Sequence, residues 1–370
     1  MKLADRRYQI DSSGIRKVFD LAAKLKNPCN LSIGLPDFDA PDAVKEAAIA
    51  AIRGGKNRYT QTAGVPALRE RLKQLYADRG RPVEDVLVAS GTSGGLLMAF
   101  MALLNPGDEV MITDPYFVMY KSLPQFLGAV PRFIDLYPDF RLRREALEAA
   151  WSPKCKMLVL NSPNNPTGAV FSTEELKMVA KFAEEKDLVV VSDEIYEEFS
   201  FDGVADSLAA YTDPARTIVI SGLSKSAAVT GWRLGWITGP KDFILALSDI
   251  QQYSFVCAPS MAQEATFVAL EHDMAPARAS YTQRRDTIYN GLVQAGYNVV
   301  KPGGAFYIFP EAPGGDGEAF VKKAIENELL IIPGSAFSQR NTHFRISFAT
   351  SIEQLNRGIG ILADIKKHFD

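Results

Sequence analysis

A short apolar run followed by a lysine constrains the fold of this chain more than any other stretch of its sequence. Residues 216–220 are rich in β-branched side chains and predict a buried strand, which Ser221 and Gly222 end. Lys225 is therefore predicted to lie on a loop at the carboxyl end of that strand, the edge at which open α/β sheets bind ligands. A partly desolvated lysine loses some preference for its charged form, and a neutral ε-amine can attack an aldehyde.

Arg233 follows Lys225 by eight residues and carries a fixed fork of donors that suits a phosphate group. Spacing alone favours a simpler interpretation, in which the lysine is exposed and the arginine forms a salt bridge. The surrounding sequence argues against it, because Ser-Gly-Leu-Ser-Lys-Ser and Thr-Gly-Trp-Arg-Leu-Gly-Trp resemble the lysine signature of the class I/II aminotransferases, such as aspartate aminotransferases. The resemblance extends over roughly residues 12–365 and implies a fold-type I enzyme that uses pyridoxal phosphate (PLP).

Composition limits the classes of function. The chain has 370 residues, enough for two domains, and its net charge of −3 argues against a nucleic-acid partner. Cys29, Cys155 and Cys257 lie far apart, which predicts a reducing compartment without disulfides or zinc. Three histidines leave little material for a histidine-based metal cluster or a Ser-His-Asp triad. No apolar run reaches the ~18 residues of a membrane-spanning helix, and residues 1–7 lack an apolar signal core. We therefore expect a cytoplasmic protein with no membrane partner.

A glycine-rich turn between a predicted strand at 85–90 and a predicted helix at 96–104 is a candidate anion site. Backbone N–H groups and the positive end of the helix both point at such a turn. Tight packing explains glycine-rich turns equally well, so the pattern leaves both interpretations open. The resemblance implies that Gly91, Thr92 and Ser93 hold the PLP phosphate together with Arg233.

Asp193 follows a predicted buried strand at 188–191, which places its carboxylate at the same sheet edge as Lys225. By position alone a structural role is the more common one. PLP withdraws electrons effectively when its pyridine nitrogen is protonated, and a nearby carboxylate favours that proton. The resemblance implies that Asp193 is this partner and that Tyr196 donates to the ring oxygen, whereas Glu194 is expected to be structural.

The resemblance also implies roles for the side chains that complete the site. Phe117 would stack on the pyridine ring, and Asn165, in the Asn-Pro-Thr-Gly string, would bond the ring oxygen and face the substrate. The backbone of Gly34 would lie beside the substrate carboxylate. Arg345 would clamp that carboxylate, although the alternation of its strand also allows a place on a solvent face.

Two positions bear on the phosphate contacts. The family often has a serine three residues before the lysine, where this chain has Gly222, and Ser221 or Ser224 could replace that contact. Tyr59, ahead of a Gly-x-Pro helix start, resembles the tyrosine whose hydroxyl reaches the PLP phosphate of the neighbouring subunit. The resemblance therefore implies a homodimer in which each subunit completes the other's site.

The expected fold is α/β of fold-type I, with a seven-stranded, mostly parallel sheet in a large domain at residues 45–275. A smaller α+β domain is expected at 276–370, joined by part of an N-terminal segment, 1–44, that also forms an arm. Local patterns predict a helix at 15–26, an antiparallel strand on the edge side of the sheet at 234–239 and a strand at 298–301.

The expected activity is transfer of an amino group between an L-amino acid and a 2-oxo acid, by a ping-pong mechanism through Lys225. A β-eliminating C–S lyase or a cyclising synthase on the same fold is the main alternative, because it would share nearly every site residue. A regulator with an added DNA-binding domain is disfavoured by length and charge, and a PLP-independent homologue by the presence of Lys225 and Asp193.

Substrate choice is constrained weakly by the loop at 252–260. This loop has no arginine or lysine for a distal carboxylate, which mildly favours apolar, aromatic or small substrate side chains. Glutamate and 2-oxoglutarate are the expected pair for one half-reaction.

Overall fold

The computed structural model of the chain describes residue 1, residues 3–10 and residues 25–369. Within the predicted N-terminal arm, a 3₁₀ turn covers Asp5–Gln9. The helix predicted at 15–26 lies outside the described residues except for its last two positions, which are not helical.

A seven-stranded sheet is the centre of the larger part of the molecule. Its spatial order is β2-β8-β7-β6-β5-β3-β4, and β8 is the one strand of this sheet that runs against the other six. The strands are β2 Asp85–Ala89, β3 Glu109–Asp114, β4 Val130–Asp135, β5 Cys155–Asn161, β6 Val189–Asp193, β7 Thr217–Gly222 and β8 Gly235–Gly239, preceded in the chain by β1 Cys29–Asn30. The prediction of a mostly parallel sheet of seven strands is confirmed.

The antiparallel direction predicted for β8 is confirmed, but its place beside the edge needs a correction. β8 pairs with β7 on one side and β2 on the other, so β2 forms the edge. β2 is the first strand of this sheet in the sequence, but its only neighbour in the sheet is β8, the last strand. The order of the strands in the sequence did not indicate that the first strand would lie outside the last one, at the edge of the sheet.

Helices cover both faces of the sheet, which explains why its central strands are apolar without alternation. α3, α4 and α8 pack on one face, where Ile112, Val191 and Ile220 join their core. The other face is covered by α5 and α6 at one end and by α1, α2 and α9 at the other. These helices are α1 Asp42–Arg53, α2 Pro66–Asp78, α3 Gly91–Leu103, α4 Val118–Phe126, α5 Arg144–Ala150, α6 Thr173–Glu185, α7 Leu223–Ser226, α8 Lys241–Ser254 and α9 Ser260–Ala269.

Helix α6 shows how local sequence fixes an element boundary. The Ser172 side chain accepts a hydrogen bond from the Glu175 backbone N–H, and the Glu175 side chain accepts one from the Ser172 N–H. This reciprocal capping box satisfies two backbone donors that the first helical turn cannot pair. The helix therefore begins at Thr173.

The C-terminal part of the chain forms a smaller α+β unit. A three-stranded antiparallel sheet has the order β11-β12-β9, and β10 pairs in parallel with β1 from the N-terminal segment. The elements are α10 Ala275–Gln294, β9 Tyr307–Ile308, α11 Gly317–Glu326, β10 Leu329–Leu330, β11 Ile332–Pro333, β12 Phe344–Ser347 and α12 Ile352–Lys366. One hydrophobic core joins Cys29 and Leu31 to residues of this unit.

The strand predicted at 298–301 is absent: this stretch has no regular structure. Its contact with Glu311 consists of one backbone bond to the Asn298 carbonyl and one from the Asn298 side chain. An isolated pair of bonds does not extend into a ladder. Across the described residues 1, 3–10 and 25–369, no helix has the length and apolar character needed to cross a membrane.

Candidate active site

A cavity of about 370 Å³ opens at the carboxyl ends of β5, β6 and β7. This is the edge at which open parallel sheets bind their ligands. Every residue predicted for the site lines it, except Gly91 and Tyr59. The lining residues are Ile33, Gly34, Leu35, Thr92, Ser93, Phe117, Tyr120, Asn161, Asn165, Asp193, Ile195, Tyr196, Ser224, Lys225, Thr230, Arg233, Tyr307 and Arg345.

Lys225 projects into this cavity from α7, a single helical turn that follows β7 directly. The prediction of a loop is therefore wrong in local structure, although the position at the strand end is as expected. The Lys225 Nζ donates a hydrogen bond to the Gly34 carbonyl at 2.8 Å. Burial, reinforced by the positive charges of Arg345 and Arg233, lowers the pKa of Lys225 to about 8. A substantial neutral fraction of this amine therefore exists near neutral pH.

Asp193 ends β6 and is 2% exposed. Its Oδ2 accepts a hydrogen bond from the Tyr120 hydroxyl at 2.7 Å, and its Oδ1 accepts one from the Ile195 N–H at 3.2 Å. Burial raises the pKa of Asp193 to about 6, while both hydrogen bonds and the charge of Lys225 act in the opposite direction. With a pKa of about 6, the carboxylate is mostly ionised at neutral pH although it is buried.

Two tyrosines form a buried pair beside this carboxylate. Tyr196 is 4% exposed, and its hydroxyl shares a hydrogen bond with the Tyr307 hydroxyl at 2.9 Å. Burial raises the pKa of Tyr196 well above its ordinary value, so the hydroxyl stays protonated. Tyr196 therefore keeps a proton that it can donate.

Arg345 lies in β12 and is 2% exposed, so the solvent-face alternative is wrong. Its guanidinium lies between the rings of Tyr307 and Phe337, at 4.5 and 4.4 Å from their centroids. Nη1 donates to Asn165 Oδ1 and Nη2 to the Ser32 carbonyl, each at 3.0 Å, whereas Nε makes no hydrogen bond to any residue that the structure describes. A buried guanidinium with a free donor is suited to a carboxylate ligand.

The glycine-rich turn is the first turn of α3, so the helix begins at Gly91 and not at 96 as predicted. Ser90, which precedes it, forms no side-chain cap, and the first N–H groups have no capping side chain. Gly91 has φ +72°, and a Cβ there would lie 2.5 Å from Arg233 Nη2. Only glycine allows the guanidinium to approach the start of the helix this closely.

Arg233 itself adopts a left-handed backbone conformation, with φ 53° and ψ 54°. This conformation is unfavourable for a residue with a Cβ and is concentrated at functional sites. Its Nη1 donates to the Thr230 carbonyl at 3.0 Å, and the side chain faces the uncapped turn of α3. The cavity thus has a positive end made of Arg233 and helix N–H groups.

The structure distinguishes between the two serines, Ser221 and Ser224, that could replace the missing phosphate contact. Ser224 lines the cavity, whereas Ser221 does not. A Cβ at Gly222 would lie 2.8 Å from the Gly235 Cα and 2.9 Å from the Leu234 carbonyl, so the pairing of β7 with β8 leaves no room for a side chain. The geometry therefore favours Ser224 and explains the glycine.

These groups fit PLP. The uncapped helix start and Arg233 suit its phosphate, and the half-buried Phe117 offers a flat ring at the wall. The buried Asp193 suits its pyridine nitrogen. Asn165 uses its oxygen to accept from Arg345, which leaves its NH₂ group to donate to a ligand.

Among the lining residues that were not assigned from the sequence, Tyr120, Asn161 and Tyr307 form side-chain hydrogen bonds within the site. Asn161 accepts from the Asn165 N–H at 2.8 Å and donates to the Asp193 carbonyl at 3.0 Å. Its place at the last position of a buried strand, like that of Asp193, was a usable signal. Tyr59, in contrast, lies outside the cavity and is 82% exposed.

Comparison with known proteins agrees with this geometry. A family model described as aminotransferase class I and II matches residues 26–362. The probable aspartate aminotransferase of Methanocaldococcus jannaschii is 38% identical over 98% of this chain and 99% of its own length. The aromatic-amino-acid aminotransferase 2 of Thermococcus litoralis is 35% identical over 99% of both chains.

A solved structure gives the same result for the fold. The structure of Thermus thermophilus aspartate aminotransferase with maleate superimposes with a TM-score of 0.95 at 35% identity, and covers 99% of this chain and 100% of that one. Both the sequence family and the fold-type I architecture are therefore shared along nearly the whole length. This chain belongs to the class I and II aminotransferases, which are PLP-dependent enzymes.

Proposed function

We propose that this enzyme moves an amino group between an L-amino acid and a 2-oxo acid by a ping-pong mechanism that depends on Lys225. The observation that supports the proposal is that Lys225, Asp193 and Arg345 all line the same cavity. A base, a carboxylate partner for the cofactor nitrogen and a receptor for the substrate carboxylate are the three groups that this reaction needs.

PLP, when bound, supplies an electron sink that stabilises negative charge at the substrate α-carbon. The Lys225 Nζ would hold the cofactor covalently, and as a free neutral amine it would be the base that carries the substrate α-proton. Its lowered pKa suits both tasks, since the neutral amine is the nucleophile and the base. Asp193 would stabilise the proton on the cofactor nitrogen, and Tyr196 would donate to the ring oxygen.

Binding and orientation fall to the remaining residues. Arg345 would take the substrate α-carboxylate through its free Nε and a neighbouring Nη, with Asn165 and the Gly34 backbone beside it. The phosphate would be held at the cavity's positive end by Gly91, Thr92, Ser93, Ser224 and Arg233. Phe117 would cover the pyridine face.

We also propose that the active unit is a homodimer in which Tyr59 reaches the phosphate of the partner's site. Support comes from its exposure in the isolated protomer, together with neighbouring exposed apolar side chains. The Gln263 amide donates to Thr60 Oγ1 and to the Ala258 carbonyl, so the residue after Tyr59 is tied to the segment that follows the exposed residues Tyr253 and Phe255. Such a surface fits a second copy of the chain.

The test is an absorbance spectrum of the purified holoenzyme before and after addition of single amino acids, without an oxo acid. Transamination predicts that the visible band of the bound cofactor gives way to that of its aminated form, and that a 2-oxo acid restores the first band. The amino acid that responds identifies the donor. Release of ammonia and pyruvate with an unchanged visible band would instead establish the lyase, and an unchanged spectrum in Lys225→Ala would refute the role of Lys225.

A further inference from the structure

Tyr120 is a buried residue of the cavity wall that the proposed reaction has not used. It lies in the first turn of α4, three residues after Phe117, which is the N-cap residue of that helix. The two rings meet edge to face, with centroids 5.6 Å apart and planes at 77°. Tyr120 is 1% exposed, and its hydroxyl donates to Asp193 Oδ2 at 2.7 Å.

We propose that Tyr120 is a positioning residue for the reaction: its hydroxyl fixes the Asp193 carboxylate and keeps it ionised for the cofactor nitrogen. The inference rests on the role proposed above for Asp193. Tyr120 acts through that carboxylate and needs no contact of its own with the reacting atoms.

Geometry supports a positioning role because the carboxyl torsion of an aspartate has no sharp intrinsic preference. Two hydrogen bonds from different elements fix it here: the Ile195 N–H holds Oδ1 and the Tyr120 hydroxyl holds Oδ2. Each carboxylate oxygen accepts more than one hydrogen bond, so both retain a free lone pair. Loss of the Tyr120 donor would leave one oxygen unheld.

The charges around Asp193 explain why this donor matters. Lys225 from α7, Tyr196 from the segment after β6 and Tyr120 from α4 are the titratable groups that face it. Burial raises the pKa of Asp193, and the Tyr120 hydrogen bond lowers it. The pKa of Tyr120 is itself raised well above its ordinary value by burial and by Asp193, so the phenol stays a donor.

The experiment compares Tyr120→Phe with Tyr116→Phe. Tyr116 is also 1% exposed, and its hydroxyl accepts from Gln339 Nε2 at 2.9 Å outside the cavity lining. The Kd of the apoenzyme for PLP is measured by equilibrium dialysis between pH 5 and pH 8. Tyr120→Phe is expected to weaken binding about tenfold at pH 7, as for the loss of a hydrogen bond to a charged group. The pH below which PLP affinity falls is also expected to move upward, whereas Tyr116→Phe changes neither quantity.

A double variant separates the inference from the proposal on which it rests. In an Asp193→Asn background no carboxylate remains to be held, so Tyr120→Phe is expected to change the Kd less than twofold. Equal Kd values and pH profiles for Tyr120→Phe and Tyr116→Phe would overturn the inference alone, provided that Asp193→Asn weakens binding. Unchanged PLP binding in Asp193→Asn would overturn the role of Asp193 and the inference with it.

A second substitution guards against a folding defect. If Tyr120→Phe does not fold, fluorination of the Tyr120 ring keeps its shape while making the hydroxyl a stronger donor. The pH below which PLP affinity falls is then expected to move downward. A shift in the opposite direction, or none, would contradict a role through Asp193.

Discussion

The chemistry of single residues here depends on the groups beside them. Lys225 is an ordinary lysine by sequence, but burial and two arginines bring its pKa down to about 8 from 10.5. Lowering the pKa of an amine raises its neutral fraction at every pH below the ordinary value. At neutral pH the neutral, reactive fraction of Lys225 is therefore on the order of several-hundredfold larger than that of a solvated lysine.

The first prediction concerns the pH at which Lys225 reacts. The rate at which apoenzyme combines with PLP, followed by stopped-flow absorbance, should rise with pH and reach half its maximum near the Lys225 pKa of about 8. Nα-acetyl-lysine, which keeps a free ε-amine, serves as the control under the same conditions and should show the pH profile of a solvated amine. A rate for the enzyme that keeps rising in parallel with the control above pH 9 would contradict a lowered pKa.

A second prediction concerns Arg345, whose Nε is buried and has no hydrogen-bond partner within the described part of the chain. Arg345→Lys keeps the charge but loses the fork, so the KM for the amino acid should rise about tenfold to a hundredfold. The absorbance of bound PLP should not change. A substrate analogue in which the α-carboxylate is absent is the control, because it should react with both enzymes alike; equal losses for both compounds would point to a general disturbance.

Residues such as Tyr120 and Tyr307 show what the sequence could not supply. Their hydroxyls meet Asp193 and Tyr196 across separations of 73 and 111 residues. An isolated tyrosine in an apolar run is equally consistent with packing. The residues that were predicted carry either a family motif or a place at a strand end, and these signals are local.

At the scale of elements, the start of α3 and the Arg233 side chain, two residues before β8, together form the positive end of the cavity. The third prediction is that Gly91→Ala weakens PLP binding about tenfold or more, because its Cβ would displace the Arg233 guanidinium. Gly80→Ala is a matched control: Gly80 has φ +71°, close to the +72° of Gly91, but a Cβ there meets nothing within 4 Å. Equilibrium dialysis measures both Kd values. A similar loss in both variants would assign the effect to backbone strain.

Element boundaries were predictable where a local signal sets them. The capping box at Ser172 and Glu175 fixes the start of α6, and β-branched runs fix the central strands. The start of α3 was placed five residues late because glycine disfavours helix interiors. Here the close approach of the Arg233 guanidinium requires glycine at position 91, which is a tertiary constraint.

At the scale of the whole molecule, one core joins Cys29 and Leu31 to the C-terminal unit. This supports the proposed division into residues 1–44, 45–275 and 276–370, in which the first segment contributes to the smaller domain. The division stays a prediction. It could not follow from local patterns, because the contact between β1 and β10 joins residues 300 positions apart.

The fourth prediction tests the shared site. Tyr59→Ala and Lys225→Ala homodimers, each nearly inactive, are unfolded together and refolded as a mixture. A hybrid has one intact site, with Lys225 from one subunit and Tyr59 of the partner subunit, so about a quarter of wild-type activity should return for random pairing of subunits.

Size-exclusion chromatography of each variant confirms that both remain dimers, and separate refolding of each variant serves as the control. No recovery in the mixture would contradict a site shared between subunits. An active monomer at assay concentration would contradict the dimer itself.

The pairing of β7 with β8 has a consequence for how the length of the chain can change during evolution. Gly222 is paired with Gly235 across the two strands, so the strand register fixes the positions of both ends of the segment between them. Lys225 lies three residues inside one end and Arg233 two residues inside the other. An insertion or deletion within residues 226–232 would therefore move the amine relative to the guanidinium. The exposed turn at Gly203 and Val204, where Val204 is 94% exposed, can change length at no such cost.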